Sequence, residues 1–163
     1  MKLWLDRETF SELDLKEVGT YRYAENARDL LIAYAVDDAE PRVWDCEVEP
    51  IPDDLLLALH EADEVWAHNA AFDKAIHNNS PSARALPRVE LERWRCSMAM
   101  ALSHALPAAL SELCEVLAVR EDLAKLKEGK KLVQLFTRPQ PSNRIVRIAN
   151  RNTHPDEWAR FKA

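Results

Sequence analysis

The sequence predicts an α/β fold, a mixed β-sheet flanked by α-helices. Three observations carry that expectation. Short apolar runs rich in β-branched and aromatic residues fill the first third of the chain. Strand–helix units follow, and the C-terminal half reads as helix. Only two glycines interrupt 163 residues, with no repeat and no low-complexity tract, so residues 1–163 are expected to form one domain with its own core.

Lys2–Asp6 reads as the first strand, apolar and then acidic. Asp29–Asp37 and Arg42–Asp45 read as the next two, joined by a turn at Asp38–Pro41. Pro52–Ala62 is expected to be a helix. Pro52 lies near its start, acids fill its first turn, and Leu55, Leu56 and Leu59 mark one face. Glu64–Ala67 follows as a strand, Ala70–His77 as a helix, Asn78–Pro87 as a loop and Arg93–Ser97 as a short strand. Helices are expected over Met98–Ala105, Ser111–Leu117 (with Ser111 as a cap) and Lys130–Phe136. Pro139–Asn143 breaks the pattern, and Thr153 suits the N-cap of a last helix, with Pro155 and Asp156 in its first turn.

Two acidic motifs stand at strand–helix corners. In Asp6-Arg7-Glu8-Thr9, residues two apart share one strand face, roughly 6.5 Å from each other along the strand. The second run, Val65-Trp66-Ala67, leads into His68-Asn69-Ala70-Ala71-Phe72-Asp73, with Asp73 in the first turns of a helix. Three carboxylates converging from two strand ends suit Mg²⁺ or Mn²⁺, which prefer oxygen ligands. Two such ions about 3.5–4 Å apart stabilise both the attacking and the leaving oxygen in phosphodiester hydrolysis.

D-x-E-T followed about sixty residues later by H-N-x-x-F-D resembles the DnaQ-like, or DEDD, 3′→5′ exonucleases. Glu17–Glu25, Glu128–Pro139 and Thr153–Phe161 narrow the likeness to the proofreading domain of phage and prophage family A DNA polymerases. The resemblance implies a ribonuclease H-like fold and two-metal hydrolysis at a single-stranded DNA 3′ end, releasing nucleoside 5′-monophosphates. Asp6 would be a ligand shared by both metals, Glu8 a ligand of the ion holding the attacking water, and Asp73 a ligand of the other. Thr9 lies where such domains contact the terminal nucleotide. Asn69 can hold the corner that places Asp73 by side-chain hydrogen bonding, and Phe72 reads as core more than as a stacking ring. His68 reads as packing or support, outside catalysis, and a polymerase domain would accompany this one in the full-length protein. The location implied is the cytoplasm of a bacterial or phage-infected cell.

Two positions depart from the pattern. Arg7 points to the face opposite Asp6 and Glu8, where an apolar residue is usual, so it needs an interior partner or must snorkel. The motif Y-x-x-x-D or H-x-x-x-x-D, which supplies the general base and a fourth carboxylate, has no match; the domain is therefore expected to be truncated before it. Rival readings are a catalytically impaired module that binds DNA ends or docks a polymerase, and a nuclease of short RNA.

The formal net charge of −6 conceals a segregation. Residues 125–151 carry eight basic residues against one acid, a local +7, and residues 1–124 carry 12 basic and 25 acidic residues, a local −13. Lys130, Lys131 and Arg138 in this segment are candidates for the DNA backbone. No apolar run approaches the roughly 20 residues that span a bilayer. Cys46, Cys96 and Cys114 form no C-x-x-C pair, which argues against a zinc ribbon or disulfide framework and suggests three buried apolar side chains.

Overall fold

The computed structural model describes residues 1–119, 127–140, 143, 145 and 147–162. Its strands are β1 (Lys2–Phe10), β2 (Arg28–Val36), β3 (Arg42–Asp45), β4 (Glu64–Ala67) and β5 (Trp94–Cys96), ordered β3-β2-β1-β4-β5. β1, β2 and β3 pair antiparallel, whereas β1, β4 and β5 pair parallel. The expected mixed β-sheet is borne out. The helices are α1 (Leu15–Asn26), α2 (Asp53–Glu61), α3 (Ala70–Asn79), α4 (Ser97–Ser103), α5 (Leu110–Val116), α6 (Lys127–Phe136) and α7 (Pro155–Lys162).

Strand alternation sorts the two faces. Leu3, Leu5, Ile32, Tyr34, Val65 and Ala67 meet Leu55 and Leu59 of α2 and Ala70 of α3 in the larger core. On the other face Leu31 and Val43 meet Leu132 and Phe136 of α6 and Trp158 of α7. Phe136 stands at the centre of the second cluster, 5.0 Å from both Trp158 and Phe161. Away from that cluster, Trp4 and Trp66 lie side by side in neighbouring strands, ring centres 5.3 Å apart and planes tilted by 32°.

Several boundaries move from their expected positions. β1 does not stop at Asp6, because antiparallel pairing with β2 carries it on to Phe10. α1 was not anticipated. Asp14 caps it by accepting from the Lys16 N–H at 2.8 Å, and Gly19 kinks it at φ 75°, a left-handed value that glycine takes at little cost. Pro52 is the N-cap of α2 and not its first residue, and Ala109 stands at the N-cap expected of Ser111. Thr153 closes a turn with Asn150 instead of capping α7, leaving the His154 carbonyl to accept the Trp158 N–H. The expected loop after α3 contains a 3-10 turn at Ser82–Ala85. The three cysteines are free, as expected, but half-buried.

Candidate active site

Asp6 is exposed and Glu8 half-buried on one face of β1, opposite Ala33 and Leu31 of β2. Immediately after Glu8 the register slips, a bulge that pairs Thr9 with Asp29 and leaves Leu30 of β2 without a register partner; Thr9 faces inward like Leu5 and Arg7. The Thr9 hydroxyl then lies 3.1 Å from the Tyr23 hydroxyl of α1. On its other side β1 pairs with β4 only as far as Trp4. Beyond that point the first turns of α3 bring Asp73 to β1.

Asp73 is 3% exposed, and its Oδ1 is buried without a hydrogen-bond partner. Burial first, and then the negative charge of Asp6, push its carboxyl up to about 7; the Arg7 charge and the backbone amides of Asp73 and Arg7 pull the other way. Asp6 and Asp73 are thus electrostatic neighbours although they are 67 positions apart. An orphaned buried carboxylate oxygen beside a second carboxylate suits a hard divalent cation. Among the described residues, no three histidine, cysteine or acidic side chains are drawn into one metal-sized group. Strand alternation puts Asp6 and Glu8 on one face of β1, and the charge of Asp6 reaches Asp73.

The corner that places Asp73 works differently from the expectation. Asn69 makes no side-chain hydrogen bond to the helix; it takes the left-handed conformation, φ 64° and ψ 47°, and its carbonyl accepts the Phe72 N–H at 2.9 Å. Asparagine is among the few non-glycine residues that tolerate this geometry. His68 supports the corner, as expected. Its Nε2 donates to the Ala108 carbonyl at 2.8 Å, which leaves Nδ1 to accept from the Ser97 hydroxyl at 3.1 Å.

Two clefts meet at Glu8. One, of about 320 Å³, is lined by Glu8, Thr9, Tyr23, Phe72, Thr137 and Arg138. The other, of about 360 Å³, has Asp6 and Glu8 at one side and an apolar floor that includes Leu31, Leu132 and Phe161. Phe72 both packs, 5.9 Å from the Tyr23 ring, and forms cleft wall. Arg138 is exposed in the lining, whereas Lys130 and Lys131 are exposed on α6, whose Val133 reaches both clefts. Lys125 and Arg144 lie outside the described residues. Arg151 is not available to a ligand in the way the charge count suggests, because it pairs with Asp45 at 2.8 Å.

The partner that Arg7 requires was not identifiable in the sequence. It is double: Arg7 Nη1 donates to Asp29 Oδ1 at 2.8 Å, and Nη2 lies 2.7 Å from His77 Nδ1. Tyr23, Asp29 and His77 are the residues that sequence reasoning missed, and an arginine at an inward-facing position was the signal that could have prompted a search for two of them.

No family model matches the chain. It is 31% identical over 167 residues to a DNA polymerase of Bacillus phage SP02, an alignment that covers 98% of the chain and 25% of the polymerase. The chain thus spans about a quarter of that relative's length, and the resemblance to a phage polymerase is borne out from end to end. Among solved structures, Brucella melitensis NrnC bound to pGG is similar with a TM-score of 0.48 and 14% identity, covering 99% of this chain and 64% of that one. The Aedes aegypti Nibbler EXO domain is similar with a TM-score of 0.46 and 11% identity, covering 99% of this chain and 71% of that one.

Proposed function

We propose that this chain, related along its whole length to part of a phage DNA polymerase, is a metal-dependent 3′→5′ exonuclease domain. It removes terminal nucleotides from single-stranded DNA as the proofreading unit of a polymerase in the cytoplasm of a bacterial or phage-infected cell. The observation that carries this reading furthest is the partnerless Oδ1 of Asp73 buried beside Asp6. Asp6, Glu8 and Asp73 are the carboxylates that would hold Mg²⁺ or Mn²⁺. Bound there, the ions supply an activated water and neutralise charge on the leaving 3′ oxygen.

The chain's own part is placement. The cleft at Glu8 and Thr9 receives the terminal nucleotide, with Tyr23 and Phe72 forming an aromatic wall and Arg138 facing the phosphate. Asn69 sets the corner that aims Asp73, and Lys130 and Lys131 on α6 accompany the backbone upstream. A frayed terminus enters such a cleft more easily than a paired one, which is the basis of selection for mispaired ends.

Thermal melting with Mn²⁺ tests the metal. The ion is expected to raise the melting temperature of the parent by mass action and to leave that of Asp6→Ala/Asp73→Ala unchanged. An equal rise in both proteins places the ion elsewhere. An end-labelled single-stranded oligonucleotide tests the chemistry: it should shorten from its 3′ end with Mn²⁺, and Asp6→Ala should abolish the shortening. Tight binding of the 3′ end with no shortening would instead describe a DNA-end-binding module.

A further inference from the structure

We propose that Arg7 is a positioning residue for this site: its buried guanidinium ties the strand that carries Asp6 and Glu8 to the helix that carries Asp73. The inference rests on the proposed function and extends it to a residue that lines the cleft yet has its side chain fully buried. Arg7 alternates with Asp6 and Glu8, so its side chain leaves β1 on the face opposite theirs and enters the core fully buried. Nη1 donates to Asp29 Oδ1 of β2 at 2.8 Å, an ion pair buried at both ends. The other Asp29 oxygen accepts from the Ser82 hydroxyl at 2.7 Å. Nη2 meets His77 Nδ1 at 2.7 Å, and His77 Nε2 lies 2.9 Å from the Pro87 carbonyl.

The chemistry of the atoms fixes the direction of that chain. A guanidinium only donates and a carbonyl only accepts, so His77 must be neutral, accepting at Nδ1 and donating at Nε2. His77 is four residues after Asp73, one turn along the same helix, and therefore on the same side of it. The planar arginine fork has a fixed geometry, and two of its N–H groups are bonded to two different elements. Sliding or rotating α3 along β1 breaks one of them. The arrangement is poorly explained by stability alone: Arg7 Nε is buried without a partner, and buried ionic clusters are often replaced by apolar residues with no loss of stability.

That last property separates placement from folding. In Arg7→Met/Asp29→Leu/His77→Leu the cluster becomes apolar, and the melting temperature is expected to stay at or above the parent's. Half-saturation by Mn²⁺, read from the melting shift, is expected to need about tenfold more ion, as for other groups that orient metal ligands. kcat should fall while KM for the oligonucleotide holds. Arg7→Lys, which keeps the charge but loses the fork, should fall between parent and triple variant. It should also speed amide hydrogen exchange across α3, Ala70–Asn79, a readout independent of activity. Parental Mn²⁺ demand in a folded triple variant, or parental exchange in Arg7→Lys, overturns the proposal. Should the triple variant not fold, Arg7→Lys alone decides. A parent that ignores Mn²⁺ would remove the proposed function, and the exchange experiment would still judge the positioning.

Discussion

Burial and the charge of Asp6 raise the Asp73 carboxyl to about 7 from an ordinary 3.8, and the sign of that shift matters. The folded chain holds a proton that the unfolded chain has already lost, so between about 4 and 7 its stability falls as pH rises. The contribution is complete below the unfolded value and gone above the folded one. The shift corresponds to roughly 4 kcal/mol at most, before relaxation around the charged group reduces it. Asp73→Asn is therefore expected to be more stable than the parent toward urea at pH 8 with a chelator present, and nearly equal to it at pH 4. A parent as stable as Asp73→Asn at pH 8 would mean that Asp73 ionises without penalty. His77 works in the opposite sense. Burial and the Arg7 charge lower it to about 4, so its share of stability is present above about 6.5 and lost on acidification through 4. That Asp6 and Glu8 share a strand face and that Asp73 stands early in a helix was legible because strand period and helix starts are local signals. His77 and Tyr23 were not, since nothing near either in sequence points to its partner.

At the level of elements, α1 shows how a helix escapes a reading based on apolar spacing. Asp14 followed by Glu17 has the form of a capping box, but Gly19 interrupts the helix at φ 75° and only Tyr23 and Ala24 are buried. β1 outruns its apolar pattern for a related reason. Its last residues are polar, yet Arg7 and Thr9 are buried because β2 and α1 offer them partners. The α3 corner yields a sharper expectation. Asn69 is held at φ 64° with no side-chain bond to the helix, so its backbone conformation is what matters there. Asn69→Gly should leave stability nearly unchanged, whereas Asn69→Val should lose about 1–2 kcal/mol in chemical denaturation. Equal losses in the two variants would restore the side-chain role first expected of Asn69.

Across the whole molecule, the basic 125–151 segment and the acidic remainder are not two separate regions. Arg151 joins them, bonded to Asp45 with its guanidinium 5.5 Å from the Trp158 ring, so part of the segment's charge holds α7 to β3. Lys130, Lys131 and Arg138, exposed in the same segment, are where ionic strength should act. Each phosphate neutralised on a single strand contributes about −0.7 to the slope of log affinity against log salt. Replacing all three by alanine should make that slope shallower by up to about 2 and weaken every sequence alike. Unchanged affinity in a salt titration would mark them as a solvated surface. The mixed sheet was legible from the succession of hairpin and strand–helix units, whereas the sharing of Arg151 was not, because it joins residues 106 positions apart.

The Trp4–Trp66 pair has an optical consequence. Two indoles with centres 5.3 Å apart and planes at 32° lie close enough for their excited states to mix, which produces a paired positive and negative band in circular dichroism. Trp4 and Trp66 are register partners in the parallel β1–β4 ladder, the pairing that ends just before Asp6. A slip of one residue would send one ring to the other face of the sheet and extinguish the signal. The protein thus carries its own unlabelled spectroscopic gauge of strand registry, two residues from its candidate catalytic carboxylate.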